Sequence, residues 1–496
     1  MLDTAGKLLE KLLRPRLHAA VQAAGDLSPS QFGFRKERST VHAIQVVVEA
    51  ARATERGYHL GRPVCLLVTL DVKNAFNSVP EYLLRIIGDY LNERFIVYAT
   101  DDGPKQRELT SGAAQGSILG PDIWNITYDG ILRMEMPDGC SLVGYADDVA
   151  AIITARDVEA AQMRLNQVMR RVRSWMSDHG LELALAKTEI VLLTKKRIPL
   201  FREMQVGGAT VQTKAAVKYL GVMLDCRLTF GENIRTRADK AASVVALLSR
   251  VMANIGGPRP CKRRLLLRTA ESIMLYGAEV WADSLRCERH RKRIAAVQRR
   301  CALRIACSYR TVSEPAAMVV AGVTPIDLLA QERKSVHQDK AALGREAAAQ
   351  RAKARCLEAW QERWDRESRG RWTARLIPRL DVWLNRQHGE VDYYLTQMLT
   401  GHGYFRAYLH KMGKVADPSC AYCDSRSDSA LHTLFECGRW SAEKDGLAEG
   451  LGDITPDTIV RIMLTSPEAW TKVSGFVKSV LLRKIRDLDA GGSLAP

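Results

Sequence analysis

Along the first 225 residues the apolar positions switch between two periods. The runs VCLLVTL (64–70), LVGY (142–145), VAAII (149–153) and EIVLLT (189–194) are short and mostly apolar, which predicts strands. Between them apolar residues recur three and four apart, the helical spacing. This holds for the opening stretch LDTAGKLLEKLLRPRL, for VHAIQVVVEAARATERG, for a helix from Pro80 and for DVEAAQMRLNQVMRRVRSWMSDHG. The last predicts a helix with Met163, Val168, Val172 and Trp175 along one face, ending at Gly180. A short strand pair is expected around KYLGVMLD. The alternation predicts an α+β domain over 1–225. Beyond it the periodicity is almost entirely helical over 226–330. A connector follows over 331–400, with QERKSVHQDKAALGREAAAQRAKARCLEAWQERW as one alanine-rich charged helix carrying Trp360 and Trp364 on one side. A cysteine-bearing segment spans 401–445 and a tail 446–496.

Composition narrows the class. With 496 residues, 46% hydrophobic and 26% charged, the chain is long enough for several globular domains. Its net charge of +17, from 73 Lys and Arg against 56 Asp and Glu, favours a polyanionic partner. The charge is concentrated: 262–310 holds 13 Lys or Arg against 4 acidic residues, which suggests phosphate contact. No apolar stretch approaches the roughly 20 residues that cross a bilayer, and the start is amphipathic. No membrane partner is expected. Eleven scattered cysteines suit reduced thiols in an intracellular protein, some of them binding metal.

The chemistry centres on LVGYADDVAAII. Asp147 and Asp148 fall where a tight hairpin turn joins two strands, so both carboxylates project from one sheet edge. Adjacent carboxylates repel and lose hydration on folding. In VCLLVTLDVKNAF a third, Asp71, ends an apolar strand just before a break. Three carboxylates from neighbouring strands can hold two divalent cations about 3.5–4 Å apart, whose charge offsets the repulsion. Magnesium suits such hard oxygen ligands, with manganese as a substitute. The arrangement is that of nucleotidyl transfer.

These residues resemble the reverse transcriptases of non-LTR (LINE-type) retrotransposons, most closely the arthropod elements that insert into ribosomal DNA. QFGFRKERST resembles the family's fingers motif, LVTLDVKNAFNSVP its first palm motif and SGAAQGSILGPDIWNITYDGIL its second. GYADD resembles the third, ELALAKTEIVLL the fourth and VKYLGVMLD the primer grip. The six stand in the family's order over about 31–225. The resemblance implies a right-hand polymerase palm with part of the fingers, then a helical thumb and connector and a small zinc-knuckle tail. It implies that Asp71, Asp147 and Asp148 bind the catalytic magnesium ions, with the Val72 carbonyl as a further ligand. Phe76 would lie beneath the sugar and exclude a 2′-hydroxyl. Gln115 and Gly116 would line the nucleotide and template pocket, Lys187 would neutralise or protonate the leaving pyrophosphate, and Arg35 would contact phosphate. Tyr219, Leu220 and Gly221 would hold the primer end. The partners implied are an RNA template, a DNA primer or target and dNTPs. The site of action would be the nucleus for integration and the cytoplasm before it. Ala114 stands where the family usually has proline, which frees a backbone angle beside the pocket. The family's upstream fingers strand is not found before the first motif, so the chain is expected to be part of a longer reading frame.

The tail carries a second constellation. Cys420, Cys423, His432 and Cys437 give C-x2-C-x8-H-x4-C, a soft donor set suited to tetrahedral structural zinc. His402 and His410 nearby are expected to be structural. GHGYFRAYLHKMGK mixes aromatics with bases, as a nucleic-acid stacking surface does. Pro456 and Asp457 match a Pro-Asp nuclease motif of site-specific relatives, without a further carboxylate set. The sequence therefore favours a reverse transcriptase acting by target-primed synthesis. The alternatives are a truncated or inactive copy that binds RNA or DNA, and an endonuclease in the C-terminal region.

Overall fold

The computed structural model describes residues 4–56, 63–73, 95–100, 103–108, 116–196 and 198–490. Contacts group the chain into two compact units, 1–233 and 234–496.

In the first unit four antiparallel strands lie side by side in the order Cys140–Tyr145, Asp148–Ala155, Val64–Leu70, Glu189–Leu193. Val64–Leu70 is central and nearly all buried, hence its unbroken apolar run. On one face Leu66 and Val68 join Trp124 and Tyr128 of helix Gly120–Arg133 and Leu165 and Val168 of helix Val158–Asp178 in a single core. Helix Thr40–Arg56 packs across three of the strands and buries Ile44, Val47 and Val48. The pair Ala216–Tyr219 and Val222–Asp225 forms a two-residue hairpin with both turn residues at positive φ, Leu220 at 44° and Gly221 at 82°. That is the backbone a tight right-twisted hairpin demands.

Helix Val158–Asp178 starts where predicted, with the Asp157 carboxylate accepting from the Ala160 amide at 2.8 Å, and Gly180 follows its end at φ 67°. Its buried face differs from the expected one. Ala161, Leu165, Val168, Met169, Val172 and Met176 are buried, whereas Met163 is 59% exposed and Trp175 half-buried. At 3.6 residues per turn Met163 lies about 140° round from Val168, so one face cannot hold both.

The described part of the second unit is helical. The stretch expected as one long helix is two, Ile326–Leu343 and Arg345–Arg366, folded into a hairpin at Gly344 (φ 77°). Glycine takes that angle without a Cβ penalty, and the return lets Trp360 and Trp364 be buried. The basic run divides by role. Arg263 is buried and donates to the carbonyls of Met252, Ala253, Pro258 and Arg304, while Lys262, Arg268, Arg289, Arg291 and Arg300 face solvent. The aromatics of GHGYFRAYLHKMGK turn inward more than a stacking surface would. Phe405 is fully buried, and the Tyr408 hydroxyl is hydrogen-bonded to Thr311 Oγ1 at 2.7 Å. His402 has a structural place, with Nδ1 2.9 Å from Thr311 Oγ1.

Candidate active site

The turn carrying the two aspartates is the tight hairpin expected: Tyr145 pairs with Asp148, leaving Ala146 and Asp147 as its two central residues. Ala146 sits at φ 57°, a region non-glycine residues rarely occupy. Three contacts hold it there. The Trp124 indole N–H donates to the Ala146 carbonyl at 2.9 Å. Gly33 presses on the turn so closely that a Cβ on it would lie 2.1 Å from the Ala146 amide nitrogen. The QFGF segment is itself bonded to the neighbouring strand, Phe32 N to Gly144 O at 2.8 Å and Gly144 N to Ser30 O at 2.9 Å.

Strand register supplies the third carboxylate. Leu70 lies opposite Val149, so Asp71, one residue further, comes to the edge where Asp148 begins the next strand. Partial loss of hydration, then the like charges of Asp147 and Asp71, hold the Asp148 carboxyl above the usual carboxylate range. The Asp71 carbonyl accepts from Ala184 N at 2.8 Å, anchoring the turn Leu185–Lys187 beside it. Lys187 Nζ reaches Asp71 Oδ2 at 2.8 Å, and that hydrogen bond and charge raise the lysine's pKa. A cleft of about 530 Å³ opens over the group, lined by Asp71, Asp148, Lys187, Glu189, Tyr219 and Leu220 among others. Among the described residues the Tyr219 hydroxyl, buried at its wall, has no hydrogen-bond partner, and burial together with Asp148 pushes its pKa up.

The remaining candidates fall into three groups. Val72 is buried in a short strand pairing with Leu183, and Gly116 has φ 86° with open space around its Cβ position, so its backbone angle and not crowding calls for glycine. Phe76 and Gln115 lie outside the described residues. Arg35 is placed differently from the expectation of a phosphate contact. Its guanidinium donates to the carbonyls of Leu27 and Ser28 and pairs with Asp26 at 2.8 Å, so it staples its own loop.

Sequence reasoning passed over the residues that brace the site. Helix Gly120–Arg133 buries ten of its 14 residues, polar ones included. Asn125 Nδ2 donates to the Gly33 carbonyl at 2.8 Å, and Glu10, itself fully buried, accepts from Ser117 Oγ and from Ile118 N at 2.8 Å. The available signal was a polar residue on every side of an otherwise apolar helix, WNITYD, which a one-faced helix would not carry.

In the second unit Cys420, Cys423, His432 and Cys437 come together with all four ligand atoms within 4.8 Å of one another. Cys420 Sγ and Cys437 Sγ are 3.9 Å apart, and Cys423 Sγ and His432 Nε2 3.3 Å. Edges of roughly 3.5–3.8 Å follow from tetrahedral zinc with Zn–S about 2.3 Å and Zn–N about 2.0–2.1 Å, so the donor set fits that ion. His432 Nδ1 faces Glu436 Oε2 at 3.8 Å, a carboxylate placed to orient the ring. Beneath the cluster the buried Lys484, from helix Pro467–Ala490, donates to the Asp428 carboxylate and at 2.8 Å to Thr433 Oγ1. Tyr422 donates to Asp487 of the same helix at 2.6 Å. Asp457 receives two bonds from Arg375, at 3.0 and 2.7 Å.

The family model described as reverse transcriptase (RNA-dependent DNA polymerase) matches residues 1–224. The chain is 28% identical over 516 residues to a 115 kDa protein in the type-1 retrotransposable element R1DM of Drosophila melanogaster, covering 98% of this chain and 49% of that protein. It is 30% identical over 353 residues to a retrovirus-related Pol polyprotein from the type-1 retrotransposable element R1 2 of Nasonia vitripennis, covering 67% of this chain and 86% of the relative. The chain thus spans about half the length of the first of these curated relatives. Among solved structures, telomerase from Candida tropicalis with a telomeric RNA fragment is similar at 10% identity and a TM-score of 0.30, over 71% of this chain and 56% of that one, too distant to bear on function. The aspartate-bearing sheet, the ordered motifs and these relatives agree: the chain belongs to the reverse transcriptases of type-1, non-LTR retrotransposable elements.

Proposed function

We propose that the chain catalyses RNA-directed DNA synthesis, extending the 3′ end of a nicked chromosomal target on an RNA template in the nucleus. The observation that carries this reading is the convergence of Asp71, Asp147 and Asp148 on one sheet edge, where Asp148 feels the charge of the other two. Nothing in folding rewards three crowded carboxylates, and a divalent cation site does. Magnesium ions held by these carboxylates would supply activation of the attacking 3′-hydroxyl and stabilisation of the leaving pyrophosphate. The protein's own groups do the rest. The braced hairpin fixes where the carboxylates stand. Lys187, kept protonated by Asp71, lies in the cleft to neutralise charge on the departing phosphates. Tyr219 and Leu220 shape the cleft wall where the primer end would rest.

Zinc in the Cys420–Cys423–His432–Cys437 set would hold the tail segment folded, and exposed arginines of the basic helices supply phosphate contacts. Primer extension on an RNA template with magnesium tests the activity. Incorporation by the parent chain, abolished in Asp147→Ala with RNA binding retained, supports it. Binding by the parent with no incorporation overturns it and leaves a nucleic-acid-binding protein.

Lys187→Gln is expected to slow single-turnover incorporation roughly 100-fold. In the parent, deprotonation of Lys187 should lower the rate on an alkaline limb; Asp71 raises the lysine's pKa in the metal-free fold, and cations bound to Asp71 would draw it back down. The variant should lack that alkaline limb. A pH–rate profile of unchanged shape would remove Lys187 from the chemistry.

A further inference from the structure

The strained residue of the hairpin is Ala146, immediately before the aspartates, and its angle of φ 57° has to be imposed from outside. Two consecutive residues of helix Gly120–Arg133 impose it. The Trp124 N–H holds the Ala146 carbonyl at 2.9 Å, and Asn125 Nδ2 holds the Gly33 carbonyl at 2.8 Å, pinning the glycine that abuts the Ala146 amide. Both side chains are 1% exposed, and the Trp124 ring stacks on Tyr128 at 4.9 Å, so neither donor has room to swing away. The turn is therefore gripped from its carbonyl side and pressed from its amide side. Both grips come from one turn of one helix.

We propose that Trp124 and Asn125 are positioning residues that set the metal-binding geometry of Asp147 and Asp148 through Ala146, without touching metal or nucleotide. The proposal rests on the polymerase reading for its consequence in catalysis, but its geometry concerns cation binding alone. Groups that orient metal ligands from behind alter affinity or activity about 10–100-fold when removed.

Trp124→Phe keeps an aromatic ring on Tyr128 and deletes the N–H. Manganese binding at the aspartates, followed by titration against an Asp147→Ala blank, is expected to weaken roughly tenfold. Single-turnover incorporation at saturating dNTP should fall roughly 10–100-fold with little change in KM. Trp364→Phe is the matched control, because it loses an equally buried indole bond, to the Ile377 carbonyl at 2.9 Å, far from the aspartates in the chain. It should lower thermal stability without moving manganese affinity. Ala146→Gly, which takes positive φ freely, should restore part of the loss in the Trp124→Phe background. If Trp124→Phe fails to fold, Asn125→Ala is read in its place, with weaker manganese binding again expected. Manganese affinity unchanged in the folded variant overturns the proposal. An inactive parent whose manganese affinity still falls in Trp124→Phe sinks the polymerase reading and leaves the positioning role standing.

Discussion

Asp148→Asn is expected to lower nucleotide incorporation at least roughly 1,000-fold while raising the melting temperature of the magnesium-free protein. On the proposed two-cation reading, the loss follows from removing a ligand that would be worth several kcal/mol of charge stabilisation in the transition state, each 1.36 kcal/mol being about tenfold in rate. The gain follows from the electrostatics of the empty fold. Lost hydration, Asp147 and Asp71 hold the Asp148 carboxyl above its ordinary range. A carboxyl whose folded pKa exceeds its unfolded value contributes stability below the unfolded pKa, and that contribution is lost as pH rises through the folded one. At neutral pH the parent therefore bears a penalty that the neutral, isosteric asparagine does not. The difference in melting temperature should vanish near the acid end, below the ordinary carboxylate range, and grow as pH rises. Magnesium should then reverse the order, because a ligand that binds only the folded parent stabilises it by mass action. Melting curves across pH, with and without magnesium, check each step. An inactive variant that also melts lower than the parent without magnesium would mean that Asp148 serves the fold and not the ion.

The aspartates were legible because their strands announce them. A carboxylate pair between two apolar runs, and a third at the end of another, has no inexpensive place in a folded sheet except at an edge. The Cys and His spacing was legible for the same reason, since the donors lie within 18 positions, 420–437, and the pattern is nearly local. What braces these sites was not. Trp124 reaches Ala146 across 22 positions, Asn125 reaches Gly33 across 92, Ile118 reaches Glu10 across 108 and Lys484 reaches Asp428 across 56. Such pairs leave no periodic trace, because each partner looks like an ordinary polar residue until the chain folds. Arg35 failed in the opposite direction. The fingers motif marks it as a phosphate contact, yet carbonyls seven and eight positions away hold it. The break at Gly344 was readable in principle, since glycine in an alanine-rich helix costs about 1 kcal/mol and usually marks an end.

Cys437→Ser is expected to abolish zinc retention and to loosen the terminal helix Pro467–Ala490, some of whose residues lie 50 positions beyond the metal ligand. Structural zinc supplies on the order of 10–16 kcal/mol in small zinc-binding folds, so with zinc on the four donors, as proposed, losing one thiolate would remove much of what organises 420–437. The effect should travel through charge. Three thiolates and one Zn²⁺ sum to a single negative charge, and Asp428 adds another beside it. Lys484 is the cation placed against both: it is buried, bonded to Asp428 and Thr433, and close enough to feel Cys420 and Cys437. Burial alone lowers its pKa, so its charge is held in the interior only by those anions. With the segment unfolded, Lys484 and Tyr422–Asp487 lose their partners together, and an ammonium left buried and unpaired drives its helix outward. Hydrogen exchange should therefore quicken over 467–490 while the hairpin Ile326–Leu343 and Arg345–Arg366 keeps its protection. The exposed Cys261, changed to serine, should alter neither zinc content nor exchange. Zinc uptake by the parent should also release protons and weaken as pH falls, since burial pushes the Cys420 thiol up in the metal-free fold. Metal analysis showing full zinc in Cys437→Ser would remove it from the ligand set. Zinc lost with exchange over 467–490 unchanged would instead separate the metal from the helix, and with it the role of Lys484 as the counter-charge joining them.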